Sequence, residues 1–412
     1  MRYGLIGKPL GHSYSKEVHA LLADYDYILQ ELEKDELADF FARRDFAAIN
    51  VTIPYKEAVI PYLDEISPEA KAIGAVNTVV RRDGRLFGYN TDFFGIRDTL
   101  ARFGLTDLSG KRALILGSGG TALTARAVLE SLGARVLLVS RSPNGENMIS
   151  YEQIKNYPDT AILFNATPVG MYPHGEGCPV SLSLFPQLSF VFDAVYNPLR
   201  TRLVLDAEAR GVPAAGGLYM LVAQAFRAVE LFLDKALPLS LLGNAYEKIF
   251  RQKQNIVLIG MPSAGKTTVG RILAEKTGRR FVDLDEEIIK RTGQDIPTIF
   301  RERGEAGFRD IESAVLRTVC GGAGQVIATG GGAVLREENA TLLKQTGTLL
   351  FLDRPLSDLT PTADRPTAKS ADAIAALYYE RLPRYLAVAD RTFPSKEPPA
   401  QTADAIIKEL LL

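Results

Sequence analysis

"NIVLIGMPSAGKTTVGRIL", residues 255–273, decides how its surroundings fold. The apolar run ending at Ile259 reads as a buried strand, the glycines after it as a turn, and the residues from Lys266 onward as a helix. The spacing Gly260-x-x-x-x-Gly265-Lys266-Thr267 is that of a phosphate-binding P-loop. In such a loop Gly260, Ser263, Ala264, Gly265 and Thr268 surround the nucleotide phosphates. Lys266 reaches the β- and γ-phosphates, and the Thr267 hydroxyl ligates Mg²⁺. A strand, P-loop and helix in that order imply an α/β domain with a parallel sheet. The motif establishes a bound nucleotide, ATP if the domain is a kinase, and leaves the acceptor open. More than half of the 412 residues precede it.

That length exceeds what one hydrophobic core fills, so two or more domains are expected. Lys and Arg number 48 against 49 Asp and Glu, a net charge of −1 that favours neither nucleic acid nor an anionic membrane. Two cysteines, Cys178 and Cys320, form no CxxC pair or disulfide framework and suit a reducing cytoplasm. The most apolar later stretch, from Gly216 to Leu242, is interrupted at helical spacing by Arg227, Glu230 and Asp234. It therefore reads as an amphipathic helix, not a membrane span. The three histidines, His12, His19 and His174, have no ligand-spaced partners, so no metal site is expected in the first half.

Working back from the P-loop, the polar, basic stretch "GNAYEKIFRQKQ" places the main boundary near residues 250–254. Before it lie two further α/β blocks. Residues 1–100 alternate short apolar runs with helical patterns, and the apolar stretch of about 218–250 is expected to return to them as one lobe. Residues 101–217 form a second lobe, which opens with "KRALILGSGGTALTARAVLESLGARVLLVSR", a strand–turn–helix–strand unit of Rossmann type. Residues 251–412 make the P-loop domain. No repeat period or low-complexity tract is visible.

The turn Gly117-Ser118-Gly119-Gly120-Thr121-Ala122 satisfies G-x-G-x-x-G/A, where the backbone approaches a dinucleotide pyrophosphate at a helix N-terminus. An NAD site places an acidic residue at the end of the next strand. Here stand Ser140, Arg141 and Ser142, a guanidinium and two hydroxyls suited to a 2′-phosphate, so the cofactor expected is NADP(H).

"GKPLGHSYSKEVHALL", "NVTIPYK", "GAVNTVV", "GYNTDFFG", "NATPVGM", "DAVYNP" and "GGLYMLVAQA" occur in order around that turn. Residues 1 to about 245 thereby resemble the shikimate dehydrogenases, two-lobed enzymes that reduce 3-dehydroshikimate to shikimate with NADPH. The resemblance implies catalytic roles for Lys56 and Asp92. It implies substrate contacts for Ser13, Ser15, Thr52, Asn77, Tyr196 and Gln224, and places Asn165, Thr167, Met171 and Gly217 at the nicotinamide end. The chemistry agrees, since reducing a ketone requires a hydride donor and a proton donor near the developing alkoxide. Lys16 and Ala20 stand where the family usually has proline and asparagine.

From Asn255 on, "RRFVDLDEEIIKRTGQDIPTIFRERGEAGFRDIE", "ATGGGAV", "ADRPT" and "ERLPRYLAVAD" make the chain resemble the shikimate kinases. The resemblance implies that Asp283 helps organise Mg²⁺ and that Asp285 holds or deprotonates the acceptor hydroxyl. Arg309 and Arg381 would bind the shikimate carboxylate, Gly330, Gly331 and Gly332 would line the substrate, and Arg365 would act from a lid on ATP. Glu312 would steady Arg309. Ser263 replaces a glycine common in this loop, and "RPT" replaces the usual arginine-proline-leucine.

The expected substrates are 3-dehydroshikimate and shikimate, with no nucleic-acid or membrane partner. Two alternatives keep the same folds. One is a quinate/shikimate dehydrogenase running oxidatively with NAD; the other has a P-loop module that binds shikimate or nucleotide as a regulator without turnover.

Overall fold

The computed structural model describes residues 2–11, 13–360, 370–395 and 398–412. Arg365 and His12 lie outside the described residues. The chain divides into two compact units, one of residues 1–197 and 201–250, the other of residues 198–200 and 251–412.

The first unit holds two six-stranded sheets. One runs Tyr27–Glu31, Tyr3–Gly7, Ala48–Val51, Thr78–Arg82, Arg85–Tyr89, Glu65–Ile66. Its first three strands are parallel, and the hairpin of Thr78–Arg82 and Arg85–Tyr89 makes it mixed. The helix Leu218–Leu233 returns to this sheet: Ala228 and Phe232 are buried in one cluster with Tyr3, Leu5, Tyr27, Ala48 and Val80. It also lies close to the helix Asp92–Arg102. A side chain at Gly95 would press on the Met220 carbonyl, so the two backbones nearly touch.

The second sheet runs Ala214–Ala215, Phe190–Asp193, Thr160–Asn165, Arg112–Leu116, Arg135–Val139, Met148–Ile149, all parallel. Its central strands are almost wholly apolar because helices cover both faces. The chain enters at Arg112–Leu116, builds to one side, then restarts on the other at Thr160–Asn165. The switch point between those two strands is where such sheets bind nucleotides, beyond the strands' carboxyl ends. Both the glycine turn and Asn165 stand there.

The stretch that reads as a polar linker is instead the helix Leu239–Lys253, followed by Gln254 and the strand Asn255–Ile259. Leu242, Ala245 and Ile249 are buried on one face at helical spacing, which outweighs the polar residues between them.

The second unit is built on one five-stranded parallel sheet, Arg280–Asp283, Gln325–Ala328, Asn255–Ile259, Gly347–Asp353, Arg391–Pro394. The P-loop strand is central, fully buried, and delivers its loop to the middle of the sheet's carboxyl edge. Among the described residues, no helix is long and apolar enough to cross a membrane.

Candidate active sites of the two units

In the first unit, Lys56 follows the strand Ala48–Val51 and Asp92 opens the helix Asp92–Arg102. The Lys56 ammonium donates to Asp92 Oδ2 at 2.6 Å, with both side chains largely buried. A side chain on Gly120 would contact Lys56 Cδ at 3.4 Å, so the lysine lies against the glycine turn of the other lobe. The pair therefore faces the place where a dinucleotide would end.

Around it the polar groups are oriented by hydrogen bonds. Asn77 Oδ1 accepts from the Thr91 N–H at 2.7 Å, which fixes the amide and presents its Nδ2 as the group for a ligand. Thr52 is half-buried beside the first strand, its N–H bonded to the Ile6 carbonyl. Gln224, on the helix Leu218–Leu233, donates to the Leu221 carbonyl at 2.8 Å and accepts from Thr91 Oγ1 at 3.4 Å. Ser13 donates to Ser15 Oγ at 3.1 Å. Tyr196 stacks at a tilt on Tyr14, with ring centroids 5.2 Å apart, and burial raises its phenol above the ordinary range.

The helix Gly120–Ser131 starts with no side-chain cap, leaving its first N–H groups for an anion. The turn before it is unobstructed, since a side chain at Gly119 would meet nothing within 4 Å. This fits a pyrophosphate. Ser140, Arg141 and Ser142 follow the strand Arg135–Val139, with Arg141 exposed. Thr167 and exposed Met171 lie in the loop after Asn165. Asn165 itself is fully buried and spends its amide inside the protein. It donates to Asp193 Oδ1 at 2.9 Å and accepts from Thr167 N and Oγ1 at 3.0 and 2.7 Å. It arranges the loop that follows it from below, without being exposed there. Gly217 begins the helix Leu218–Leu233 so close to the Ala194 carbonyl that any side chain would overlap it.

In the second unit, a cavity of about 270 Å³ is lined by Ser263–Val269 with Asp283, Asp285, Thr329, Arg354, Ser395 and Pro399. Lys266 opens the helix Lys266–Thr277, and its ammonium donates to the Gly260 and Met261 carbonyls at 2.9 and 2.8 Å. Thr267 donates to Asp283 Oδ2 at 2.7 Å. Asp283 Oδ1 meanwhile caps the helix Leu284–Thr292 through the Asp285 and Glu286 N–H groups. One hydroxyl and one carboxylate beside the phosphate cradle suit a hard divalent ion that keeps several waters, as Mg²⁺ does. Asp283 ends its strand, whereas Asp285 is already helical, and this is how two acids one residue apart serve different neighbours.

A second cluster of polar side chains converges on Gly330–Gly332. A side chain on Gly330 would fall 2.9 Å from Glu312 Oε1 and 3.1 Å from Asp285 Oδ1, and one on Gly332 would overlap the Arg309 guanidinium. Glycine is required for these groups to converge. Gly331 packs on Pro262, and its carbonyl accepts from the Tyr385 hydroxyl. Arg309 follows a kink at Gly304 in the helix Ile296–Cys320 and donates to Glu312 Oε2 at 2.7 Å. Burial opposes the charge on Arg309, but Glu312 and Glu305 more than offset it, so its pKa is raised. At Glu312 burial dominates and raises the carboxyl above its usual range. Arg381, on the helix Ala371–Val388, is buried with its Nε unpartnered inside the protein. Both guanidiniums lie by Tyr385, and Asp285 lies by Glu312, a set of charges that fits a small hydroxylated carboxylate.

The family model for the shikimate dehydrogenase substrate binding domain matches residues 5–79, and that for shikimate kinase matches residues 262–411. The shikimate dehydrogenase (NADP(+)) of Clostridium perfringens (strain SM101 / Type A) is 37% identical over 265 residues, 60% of this chain and 97% of that protein. The chain belongs to the shikimate dehydrogenase family. Its second unit carries a shikimate kinase domain. The bifunctional 3-dehydroquinate dehydratase/shikimate dehydrogenase of Arabidopsis thaliana is 36% identical over 267 residues, 57% of this chain and 44% of that protein. The crystal structure of shikimate 5-dehydrogenase from Thermus thermophilus in complex with NADP(H) and shikimate aligns with a TM-score of 0.55. It shares 32% identity and covers 60% of this chain and 99% of that one.

Within the dehydrogenase part, Asp193 opens the motif "DAVYNP", whose resemblance implies no role for it, and it is hydrogen-bonded to Asn165. Asn90, inside "GYNTDFFG", likewise has no role implied: its amide donates to the Ala75 carbonyl and to Thr124 Oγ1 of the glycine-turn helix, joining the lobes. In the kinase part, Arg354 and Ser395 line the cavity, and Ser395 donates to the Ala264 carbonyl at 2.6 Å. Only proximity in the fold reveals Arg354 and Ser395, and only the hydrogen bonds give Asp193 and Asn90 their roles.

Ser263 has a φ of 63°, the left-handed region that glycine occupies without penalty, and its hydroxyl donates to the Thr360 carbonyl at 2.9 Å. Ser263→Gly and Ser263→Ala both lose that bond, but only alanine keeps the strain. The glycine variant is expected to be the more stable of the two by about 1 kcal/mol. The check is the melting transition that MgATP raises, which reports the kinase unit.

Proposed function

We propose that residues 1–250 reduce 3-dehydroshikimate to shikimate with NADPH, and that residues 251–412 transfer the γ-phosphoryl of ATP to the 3-hydroxyl of that shikimate. The observation that carries the first half is the buried Lys56–Asp92 pair lying against the glycine turn. Lys56 gives its proton to the carbonyl oxygen as charge develops there, and Asp92 holds the ammonium on that line. Ser13, Ser15, Thr52, Asn77, Tyr196 and Gln224 fix the substrate. NADPH, held by the turn Gly117–Thr121 with Ser140, Arg141 and Ser142, supplies the hydride when bound. Thr167 and Met171 border its reactive end, and Gly217 and Asn165 set the positions of those loops.

In the kinase half, Arg309 and Arg381 bind the acceptor carboxylate and Asp285 accepts the hydrogen of the attacking hydroxyl. Gly330, Gly331 and Gly332 bring backbone against the ring. Gly260, Ser263, Ala264, Gly265 and Thr268 hold the phosphates, and Lys266 leaves the Gly260 and Met261 carbonyls to meet the charge that grows during transfer. Thr267 and Asp283 would hold Mg²⁺, which neutralises phosphate charge. A buried arginine, Arg381, and a largely buried one, Arg309, with Asp285 by Glu312 support a turning-over acceptor site. The setting that fits these substrates is the cytoplasm.

The test supplies purified protein with 3-dehydroshikimate, NADPH and MgATP. Shikimate 3-phosphate should form only with both nucleotides present, and shikimate alone when ATP is withheld. Oxidation of quinate with NAD at a higher kcat/KM than that of shikimate with NADP would overturn the dehydrogenase assignment.

A further inference from the structure

Parallel strands Thr160–Asn165 and Phe190–Asp193 end side by side, with Asn165 and Asp193 in register. Beyond them lie the loops of Thr167 and Met171 and of Tyr196, which on the reading above meet the nicotinamide and the substrate. Asp193 is fully buried at their junction and accepts three hydrogen bonds. They come from Asn165 Nδ2 at 2.9 Å, Val195 N at 3.0 Å and Thr201 Oγ1 at 2.6 Å. Asn165 passes the constraint on, through its oxygen, to the Thr167 amide and hydroxyl. The Val195 carbonyl takes the Gly217 N–H, and the Asn197 carbonyl takes the Tyr172 N–H, so both loops are tied to one carboxylate at their base.

We infer that Asp193 is a positioning residue for hydride transfer: it touches neither substrate nor cofactor, yet it sets the separation between the nicotinamide-side loop and the Tyr196 loop. This rests on the dehydrogenase reading. A carboxylate accepts at both oxygens, and that is what three donors on two loops and a helix start require. Once protonated, one oxygen carries a hydrogen and at least one donor loses its acceptor.

The junction supplies no counter-charge. Among the described residues, Asp193 makes no ion pair, and burial pushes its carboxyl up to about 6 despite its three donors. The neighbouring ionisable groups are Cys178, whose thiol burial raises, and Arg202 and Asp206 of the helix Arg202–Ala209, which pair with each other at 2.6 Å. A carboxyl raised in the folded state takes up its proton more readily there than in the unfolded chain. The cost of the buried charge is therefore present above pH 6 and relieved below the ordinary carboxylate range, so this group favours folding as pH falls. Positioning runs the other way, because protonation removes an acceptor. The two signs separate the roles.

Asp193→Asn keeps the shape. Its oxygen can accept from Asn165 and Val195 while its amide donates to Thr201 Oγ1, but the charge is gone. Because the Thr201 hydroxyl can then no longer donate there, the two loops shift by a fraction of an ångström. In the full chain, kcat for 3-dehydroshikimate reduction is expected to fall about tenfold, less than the roughly 10²-fold of a full ångström, with KM for 3-dehydroshikimate changed less than twofold. The wild type should lose kcat/KM as pH drops through about 6, and Asp193→Asn should lack that limb. Thr201→Val, which removes one donor, should show a smaller loss and keep the limb. Wild-type protein inactive with 3-dehydroshikimate would overturn the dehydrogenase reading itself. Active wild type, with a variant whose kcat per folded molecule and pH profile are unchanged, would overturn the inference alone.

Discussion

Lys56→Ala is expected to lower kcat for 3-dehydroshikimate reduction by about 10²–10⁴-fold, the range that a positioned general acid contributes. Phosphorylation of added shikimate by the same protein should be unchanged. The loss is chemical because Lys56 is the proton donor proposed beside the glycine turn. It is also structural in part. Asp92 is 6% exposed, and without the ammonium at 2.6 Å it becomes an uncompensated buried charge. Asp92→Asn separates the two effects. It takes the counter-charge from the Lys56 ammonium, which is 13% exposed, but leaves an amide oxygen to accept the same hydrogen bond, so its kcat loss should be smaller and its melting temperature nearer wild type than that of Lys56→Ala. Stopped-flow NADPH oxidation beside thermal melts of both variants checks the order. If Asp92→Asn is as inactive as Lys56→Ala while fully folded, the carboxylate does more than orient the lysine.

The glycine turn and the P-loop were legible because their chemistry requires residue types at fixed short spacings, which survive in a linear reading. Lys56 and Asp92 were legible only through resemblance, since 36 residues separate them and neither is unusual alone. Asp283 and Asp285 were visible as a pair, but not that one caps a helix while the other borders Gly330. That division depends on where the strand stops, within a residue.

Other features depend on neighbours distant in sequence. Asp193 is 28 residues from Asn165, and its burial arises from the sheet register. Asn165 was expected at the nicotinamide end and stands at the base of that loop, its amide spent within the protein. Ser395 reaches the P-loop across 131 residues. The helix Leu239–Lys253 was hidden because its buried face has only three small or aliphatic residues among polar ones.

Lys266→Met should bring the pathway chemistry to a halt at shikimate. The lysine is 5% exposed and held by the Gly260 and Met261 carbonyls at 2.9 and 2.8 Å, poised at the phosphate cradle. Methionine keeps most of its volume and removes the charge, so packing changes little while the two carbonyls lose a donor. Removing a group aimed at developing transition-state charge typically costs about 10²–10³-fold in kcat. Loss of that size is expected for shikimate phosphorylation, with the dehydrogenase rate intact. Asp285→Asn offers the contrast. It leaves the cradle untouched, so KM for ATP should hold while kcat with shikimate falls, because the acceptor hydroxyl loses the carboxylate that takes its hydrogen. Given 3-dehydroshikimate, NADPH and MgATP, both variants should accumulate shikimate. Phosphorylation surviving Lys266→Met at near wild-type rate would mean that the charge at the γ-phosphate is met by another cation, and Arg354, on the wall of the same cavity, would be the residue to change next.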